Sequence, residues 1–247
     1  MLGFEILQRL IIVFPIVVIS ITFHEYSHAF AAYKLGDPTP KNAGRLSLNP
    51  LAHVDGPLFF LYFIMFLGFL PSWVYYAVLI VAIVFLSKFG AAKPVGVNPR
   101  YFKNPKVGMG ITALAGPLSN IISAFVYLFL LMLFYLILDA SGAQIVYGTF
   151  AFGIVSSIQM FFQTAVSINI TLAVFNLIPI PPLDGYRILC MFLPYDIVYK
   201  LSRYERYSLI ILYLLMAFGI LQIPIELISR LIYGAMNSII SLLPFLH

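Results

Sequence analysis

Charged side chains are scarce in this sequence: Asp, Glu, Lys and Arg make up 9% of its 247 residues, whereas hydrophobic residues make up 62%. Soluble domains carry about 25% charged residues, so this composition excludes an ordinary soluble protein. The one cysteine, Cys190, excludes an intrachain disulfide and any cysteine-based metal cluster. We therefore expect a polytopic membrane protein built from apolar helices.

The basic residues outnumber the acidic ones and give a formal net charge of +5, which could also suit a nucleic-acid-binding protein. They stand in short loops between apolar runs, however, where basic residues orient membrane proteins. We expect the lipid bilayer as a partner and no nucleic acid, and the oligomeric state stays open. The apolar run at residues 10–33 is too long for the core of a signal peptide, so we expect it to be retained.

Six apolar stretches can be judged against the roughly 20 helical residues that cross a bilayer. They lie at 8–33, 57–87, 107–138, 143–178, 207–223 and 225–246. The predicted fold is therefore an all-α polytopic membrane protein with about six transmembrane segments. Gly68 and Pro71 interrupt the second stretch near its middle, which predicts either a hairpin of two short spans or a re-entrant pair.

Three loops rich in basic residues, at 34–56, 88–106 and 185–206, predict the orientation of these helices. Basic loops remain on the cytoplasmic side, so the 57–87 stretch would enter and leave the membrane from that side. The amino terminus would then lie outside, and the first helix would end near the cytoplasm. Arg9 favours the opposite orientation.

The segment at 44–50 carries a weak signal for extended structure. Its central residues, Arg-Leu-Ser-Leu-Asn at 45–49, alternate in polarity between Gly44 and Pro50. A short exposed strand here could pair with an unfolded peptide by edge addition. An ordinary loop explains the pattern equally well, so the β-like loop is one of two alternatives.

His24 and His28 are four residues apart on the first predicted helix and therefore share one face. Two imidazoles at this spacing can hold one Zn²⁺, and Glu25 between them can serve as a general base. By chance, this pattern is expected in roughly one such chain in a thousand. Ionisable groups inside a bilayer usually mark a functional site because they are costly to bury. The alternative is a structural cluster of hydrogen-bonded His and Glu side chains.

A catalytic zinc site needs a third protein ligand, and Asp184 is the main candidate. It follows Pro179, Pro181 and Pro182, which cannot continue a helix. Irregular backbone at membrane depth persists only inside protein or beside a water-filled cavity, and an aspartate on such a break is well suited to reach a metal. The alternative role for Asp184 is to cap a short helix that starts near Tyr186.

The motif H-E-x-x-H at residues 24–28, followed far downstream by N-x-x-P-x-P-P-L-D-G at 176–185, resembles the site-2 protease family of intramembrane zinc metalloproteases. Further stretches resemble the small bacterial and archaeal members of that family. They are residues 44–50, 92–95 with 97–99, and 115–120. The resemblance implies that His24, His28 and Asp184 hold zinc, that Glu25 is the general base, and that the substrate is a membrane-spanning helix.

The resemblance also implies substrate-binding roles for Asn120 and Asn176, although hydrogen bonding between helices explains both residues at least as well. His53 belongs to a loop motif of the family and could gate the site, line it or bind a second ion, but we favour a structural role. The chain departs from the family in having Ala91 where tryptophan is common and Tyr186 where a second glycine is common. Its 57–87 stretch is also longer than usual.

The expected organisation is a single transmembrane metalloprotease domain over 1–247, without a PDZ or CBS domain. The catalytic core would span about 8–190, and additional helices would follow at about 207–246. We expect a multi-pass protein of the plasma membrane with its active site nearer the cytoplasmic side, acting in regulated intramembrane proteolysis. The alternatives are a membrane transporter, for which no inverted repeat is evident, and a catalytically inactive relative that binds clients.

Overall fold

The structure, a computed structural model, describes residues 2–53, 96–142 and 145–242. All regular elements among these residues are helices and none is a strand, which confirms the predicted all-α class for this part of the chain. The α-helices are α1 Leu2–Lys34, α2 Thr39–Asn42, α3 Pro105–Ala140, α4 Phe150–Asn176, α5 Asp184–Phe192, α6 Tyr195–Ser202, α7 Glu205–Ala217 and α8 Gln222–Ser241. Short 3-10 turns occupy Pro50–Ala52 and Pro99–Tyr101.

Four of the described helices are long and apolar enough to cross a membrane. They are Ile11–Lys34 within α1, α3, α4 and α8, with 24, 36, 27 and 20 residues. At 1.5 Å per residue each of them reaches the roughly 30 Å of a hydrocarbon core. The predicted stretch at 57–87, with the motif at 92–95 and Ala91, lies outside the described residues. The predicted total of six segments is therefore not tested.

The predicted stretch at 207–223 corresponds to a helix that is too short to span. Helix α7 has 13 residues, about 20 Å of helix. It ends because Gly219 adopts a φ of +70°, and the N–H groups of Phe218 and Gly219 bond back to Leu214 and Met216. The next helix, α8, then begins at Gln222, three residues before the predicted start of the last stretch.

The predicted β-like loop at 44–50 forms no strand in the described residues. Its polar backbone groups are used locally instead. The N–H of Asn49 donates to the Ser47 hydroxyl oxygen at 3.1 Å, and the Ser47 carbonyl oxygen accepts from His53 at 2.6 Å. The ordinary loop, which was the alternative, is therefore the structure of this segment.

The described residues divide into two compact units between Thr112 and Ala113. In the second unit, α3, α4 and α8 share a core whose members recur at every fourth position. They are Ala124 and Leu128, then Val166, Ile170 and Val174, then Met236 and Ile240. This spacing places each set on one helix face. On α3 a second stripe at the same spacing is apolar but exposed, as expected of a face that meets lipid: Leu118, Ile122, Val126 and Leu130.

In the first unit the end of α1 is fixed by a glycine. Gly36 has a φ of +104°, a conformation that side chains disfavour. It allows the N–H of Asp37 to reach back to the Ala32 carbonyl at 3.0 Å, which satisfies one of the carbonyls that a helix end leaves open. The chain therefore turns sharply only eight residues after His28, at a defined position.

Candidate metal site

His24, Glu25 and His28 lie within α1, deep inside an apolar helix. His24 is 3% exposed, and Glu25 and His28 are half-buried. The helical spacing predicted for the two histidines is observed: their rings meet edge to face, with centroids 4.6 Å apart. Their Nε2 atoms lie 3.0 Å apart, so the two imidazoles direct the same nitrogen toward a common point.

The orientation of His28 is set by a backbone carbonyl from α3. Its Nδ1 lies 2.7 Å from the carbonyl oxygen of Thr112. A carbonyl can only accept, so Nδ1 carries the proton, and in a neutral imidazole Nε2 then keeps its lone pair. This is the arrangement that metal-binding histidines adopt in proteins, in which a hydrogen bond at one ring nitrogen prepares the other for the metal.

Asp184 lies at the first position of α5, after a break in the chain. Helix α4 ends at Asn176, the three prolines follow within turns at 177–183, and α5 begins directly at Asp184. Leu183 occupies the position that caps this helix, with φ −66° and ψ 154°. The alternative role of Asp184 as the capping residue is therefore wrong. The carboxylate is buried, with 8% of the residue exposed.

His24, His28 and Asp184 each offer one ligand atom, and these atoms all lie within 4.8 Å of one another. Two imidazoles and one carboxylate form a donor set of the kind that catalytic zinc sites use. Two nitrogens bound to one tetrahedral zinc at about 2.0–2.1 Å lie roughly 3.3 Å apart, close to the observed separation of the Nε2 atoms. The residues present thus fit a zinc ion in the chemistry of their donors and in their spacing.

Gly185 explains how Asp184 can follow the proline break so closely. A Cβ atom added at this residue would come closer than 3.0 Å to the Leu177 carbonyl group and to the Ile178 carbonyl oxygen. These are backbone atoms, which cannot turn aside as a flexible side chain does. Only glycine lets the start of α5 pack against the turn that ends α4, and this packing fixes the backbone next to Asp184.

Asn120 and Asn176 are both buried, and each donates a hydrogen bond to a residue of α4. Asn120 donates from Nδ2 to Oδ1 of Asn169 at 3.0 Å, joining α3 to α4, and Asn169 in turn donates to the Ala165 carbonyl at 2.8 Å. Asn176 donates to the Leu172 carbonyl at 2.9 Å. The helix-to-helix bond expected as one alternative is thus present for Asn120, and substrate binding by either residue stays a prediction.

The structure also describes the surroundings of His53 and of Tyr186, where the chain departs from the family. His53 is buried and donates from Nε2 to the Ser47 carbonyl at 2.6 Å, a contact that suits the structural role. Asp55, the acidic residue nearest to His53 in the sequence, lies outside the described residues. Tyr186 is half-buried, and burial raises the pKa of its hydroxyl above the ordinary value of 10.

Asp37 and Thr112 were missed as contributors to this region. The sequence alone assigns no role to Asp37, yet the residue is fully buried and binds groups from two segments. Thr112 acts through its carbonyl, which every residue type carries. A glycine directly before Asp37 was the one available signal, because it marks the end of a helix.

The comparison with known proteins decides the family. The model of peptidase family M50 matches residues 12–221. The chain belongs to peptidase family M50. This is the site-2 protease family, so the resemblance found from the sequence motifs is confirmed, and family membership together with the four apolar helices indicates an integral membrane protein.

Relatives of this M50 chain carry names of the same kind. It is 36% identical over 196 residues to "Putative zinc metalloprotease YwhC" of Bacillus subtilis, an alignment that covers 78% of this chain and 74% of the relative. It is 30% identical over 167 residues to "Putative zinc metalloprotease Rip2" of Mycolicibacterium smegmatis, covering 68% of this chain and 51% of that protein. No solved structure matches the chain at a significant level.

The packing at Gly185 predicts that Gly185→Ala is destabilising. Because the added methyl group meets backbone atoms, we expect the free energy of unfolding to fall by about 1–3 kcal/mol, which thermal unfolding of the purified protein in detergent would detect. The matched control is Gly234→Ala in α8, where nothing lies within 4 Å of the added atom. That control should be neutral or slightly stabilising. Equal unfolding midpoints for the two variants would contradict the packing argument.

The bond between Asn120 and Asn169 predicts energetic coupling between the two residues. Replacing each with alanine, alone and together, should give a coupling energy of about 0.5–1.7 kcal/mol, the range of hydrogen bonds between membrane helices. Unfolding in a mixed detergent series measures all four proteins. Strictly additive losses would mean that this bond contributes nothing to stability.

Proposed function

We propose that this M50 protein is an intramembrane zinc metalloprotease that hydrolyses a peptide bond within or near a transmembrane helix of a membrane-protein substrate. The observation that carries the proposal is the pair His24 and His28, whose Nε2 atoms lie 3.0 Å apart on an apolar helix long enough to cross a bilayer. Ionisable side chains within a membrane helix are costly, and those that occur there usually mark a functional site. Membership of the site-2 protease family supports the same reaction.

Zinc would be held by His24, His28 and Asp184, whose ligand atoms form the one such group found among the described residues. When bound, zinc polarises a carbonyl oxygen and lowers the pKa of water toward about 7. The Thr112 carbonyl would support the site by accepting a hydrogen bond from Nδ1–H of His28. This bond keeps Nε2 unprotonated and directed at the ion. The half-buried position of His28 leaves an approach to the site.

Glu25 would transfer the protons. It follows His24 directly and is half-buried, so its carboxylate can take a proton from the attacking water and later deliver one to the leaving amine. Asn120 and Asn176 would contact the substrate near the scissile bond. For Asn120 this role must coexist with its bond to Asn169.

The substrate helix would have to unwind locally, because a peptide bond inside a helix is sterically shielded. The irregular segment at 177–183 is where the described chain offers non-helical backbone beside Asp184. We also propose that the protein lies in the plasma membrane with its active site nearer the cytoplasmic face. His28 lies six residues before Lys34, the last residue of α1, which is about 9 Å of helix.

The role of Glu25 predicts that Glu25→Gln retains zinc and loses cleavage. Comparative membrane proteomics of cells that carry the wild type or the variant would identify proteins cut only by the wild type, and the purified variant should still contain about one zinc per chain. The matched control is Glu226→Gln, an exposed acid paired with Arg230 on α8, which should cleave normally. Cleavage that persists in Glu25→Gln and resists chelators would contradict the proposal. Solute transport by the wild type without any proteolysis would contradict it as well.

The ligand set predicts that His28→Ala and Asp184→Asn each bind zinc far more weakly than the wild type, since each change removes one of three protein ligands. Elemental analysis after dialysis against a mild chelator measures the loss. His53→Ala is the control, because His53 serves the 45–49 loop through Ser47, and it should retain its zinc. Loss of zinc from His53→Ala with retention in Asp184→Asn would require a different third ligand.

A further inference from the structure

Asp37 stands at the end of the helix that carries His24 and His28, and it is 0% exposed. Its own N–H caps α1 through the Ala32 carbonyl at 3.0 Å. A carboxylate this deeply buried is tolerated only when its oxygens are hydrogen-bonded. Its partners therefore hold it in one position relative to α1.

Two segments supply these partners. Oδ1 of Asp37 accepts from the N–H of Thr39 at 2.9 Å and from the Thr39 hydroxyl at 2.5 Å. Oδ2 accepts from the N–H of Asn98 at 2.6 Å. Asn98 is 61 residues further along the chain, so this one side chain joins the end of α1 to the segment that leads into α3.

From Asn98 the path to His28 is short and made of fixed turns. The Asn98 side chain accepts from the N–H of Arg100 and caps the 3-10 turn Pro99–Tyr101. Phe102 follows, and it is buried with its ring so close to Gly108 that any Cβ there would clash with it. Thr112 lies one turn beyond Gly108 on α3, and its carbonyl accepts the Nδ1 proton of His28.

We propose that Asp37 is a positioning residue for the zinc site: by binding Asn98 it sets the position of the first turns of α3, up to Thr112, against α1, which keeps the Thr112 carbonyl on His28. The inference rests on the proposed zinc protease function and adds to it a residue that touches neither metal nor substrate. The two hydrogen bonds, Asp37 to Asn98 and His28 to Thr112, are connected through the end of α1 on one side and through residues 99–111 on the other. Loosening the Asp37–Asn98 bond therefore lets the Thr112 carbonyl move away from His28.

The consequence of such a movement is chemical as well as structural. Without the Thr112 carbonyl, the His28 proton can shift from Nδ1 to Nε2, and an imidazole protonated at Nε2 cannot bind metal through that atom. Loss of an outer partner of this kind typically weakens metal binding 10–100-fold. A purely structural role for Asp37 would lower stability and leave the zinc affinity of the folded protein unchanged.

The test uses the purified full chain and the variant Asp37→Asn. The asparagine keeps an oxygen for Thr39 but turns an NH₂ group toward the N–H of Asn98, so it breaks the proposed link while preserving shape. We expect the zinc dissociation constant, measured by competition with a chelator, to rise 10–100-fold. In metal-free protein the ¹⁵N shifts of His28 should show the proton moving from Nδ1 toward Nε2.

The control is Asp139→Asn, which changes an exposed aspartate near the end of α3 and should alter neither measurement. Where Asp37→Asn does not fold, Asp37→Glu keeps the carboxylate and should show a smaller shift of both readouts. Unchanged zinc affinity and unchanged His28 shifts in folded Asp37→Asn would overturn the inference while leaving the proposed function intact. A wild-type protein that binds no zinc would instead overturn the proposed function, and with it the role of Asp37.

Discussion

The hydrogen bond from His28 Nδ1 to the Thr112 carbonyl, at 2.7 Å, is the contact on which the geometry of the site depends. It spans 84 residues of sequence and decides which imidazole nitrogen is available. It also offsets part of the cost of placing His28 in an apolar helix. One ring nitrogen is hydrogen-bonded to the backbone, and the other lies 3.0 Å from Nε2 of His24. The tautomer of His28 is thus set by the bond to Thr112, and the same bond links α1 to the first turns of α3.

The proline break plays the corresponding part for Asp184. A continuous helix through 177–183 would carry Asp184 about 12 Å past Asn176, whereas the observed turns bring α5 back onto the backbone of Leu177 and Ile178. Proline removes the donors that would continue α4, and Gly185 removes the side chain that would hold the two segments apart. The prolines thus prevent α4 from continuing, and the glycine allows α5 to pack closely against the turn that follows α4.

Much of this region could be predicted because it rests on local rules. The four-residue spacing of His24 and His28 requires only a helix, and the prolines before Asp184 require only steric exclusion. Other features depend on distant partners that a sequence does not identify. The sequence does not distinguish Asp37 from an ordinary loop aspartate, because its partner Asn98 is far along the chain. The alternation at 45–49 favours a strand, but His53 donates to the Ser47 carbonyl and the segment forms a loop. The short α7 depends on one glycine conformation at Gly219.

A common rule connects these distant contacts, because most of the buried polar side chains described above bind backbone groups. His28 and His53 donate to carbonyls, Asn169 donates to the Ala165 carbonyl, and Asp37 accepts from main-chain N–H groups. In an apolar surrounding with few polar side chains, the backbone is the most abundant partner. The position of each polar group is then set by helix register and turn conformation, so a glycine or a loop residue can govern the site as strongly as a ligand does.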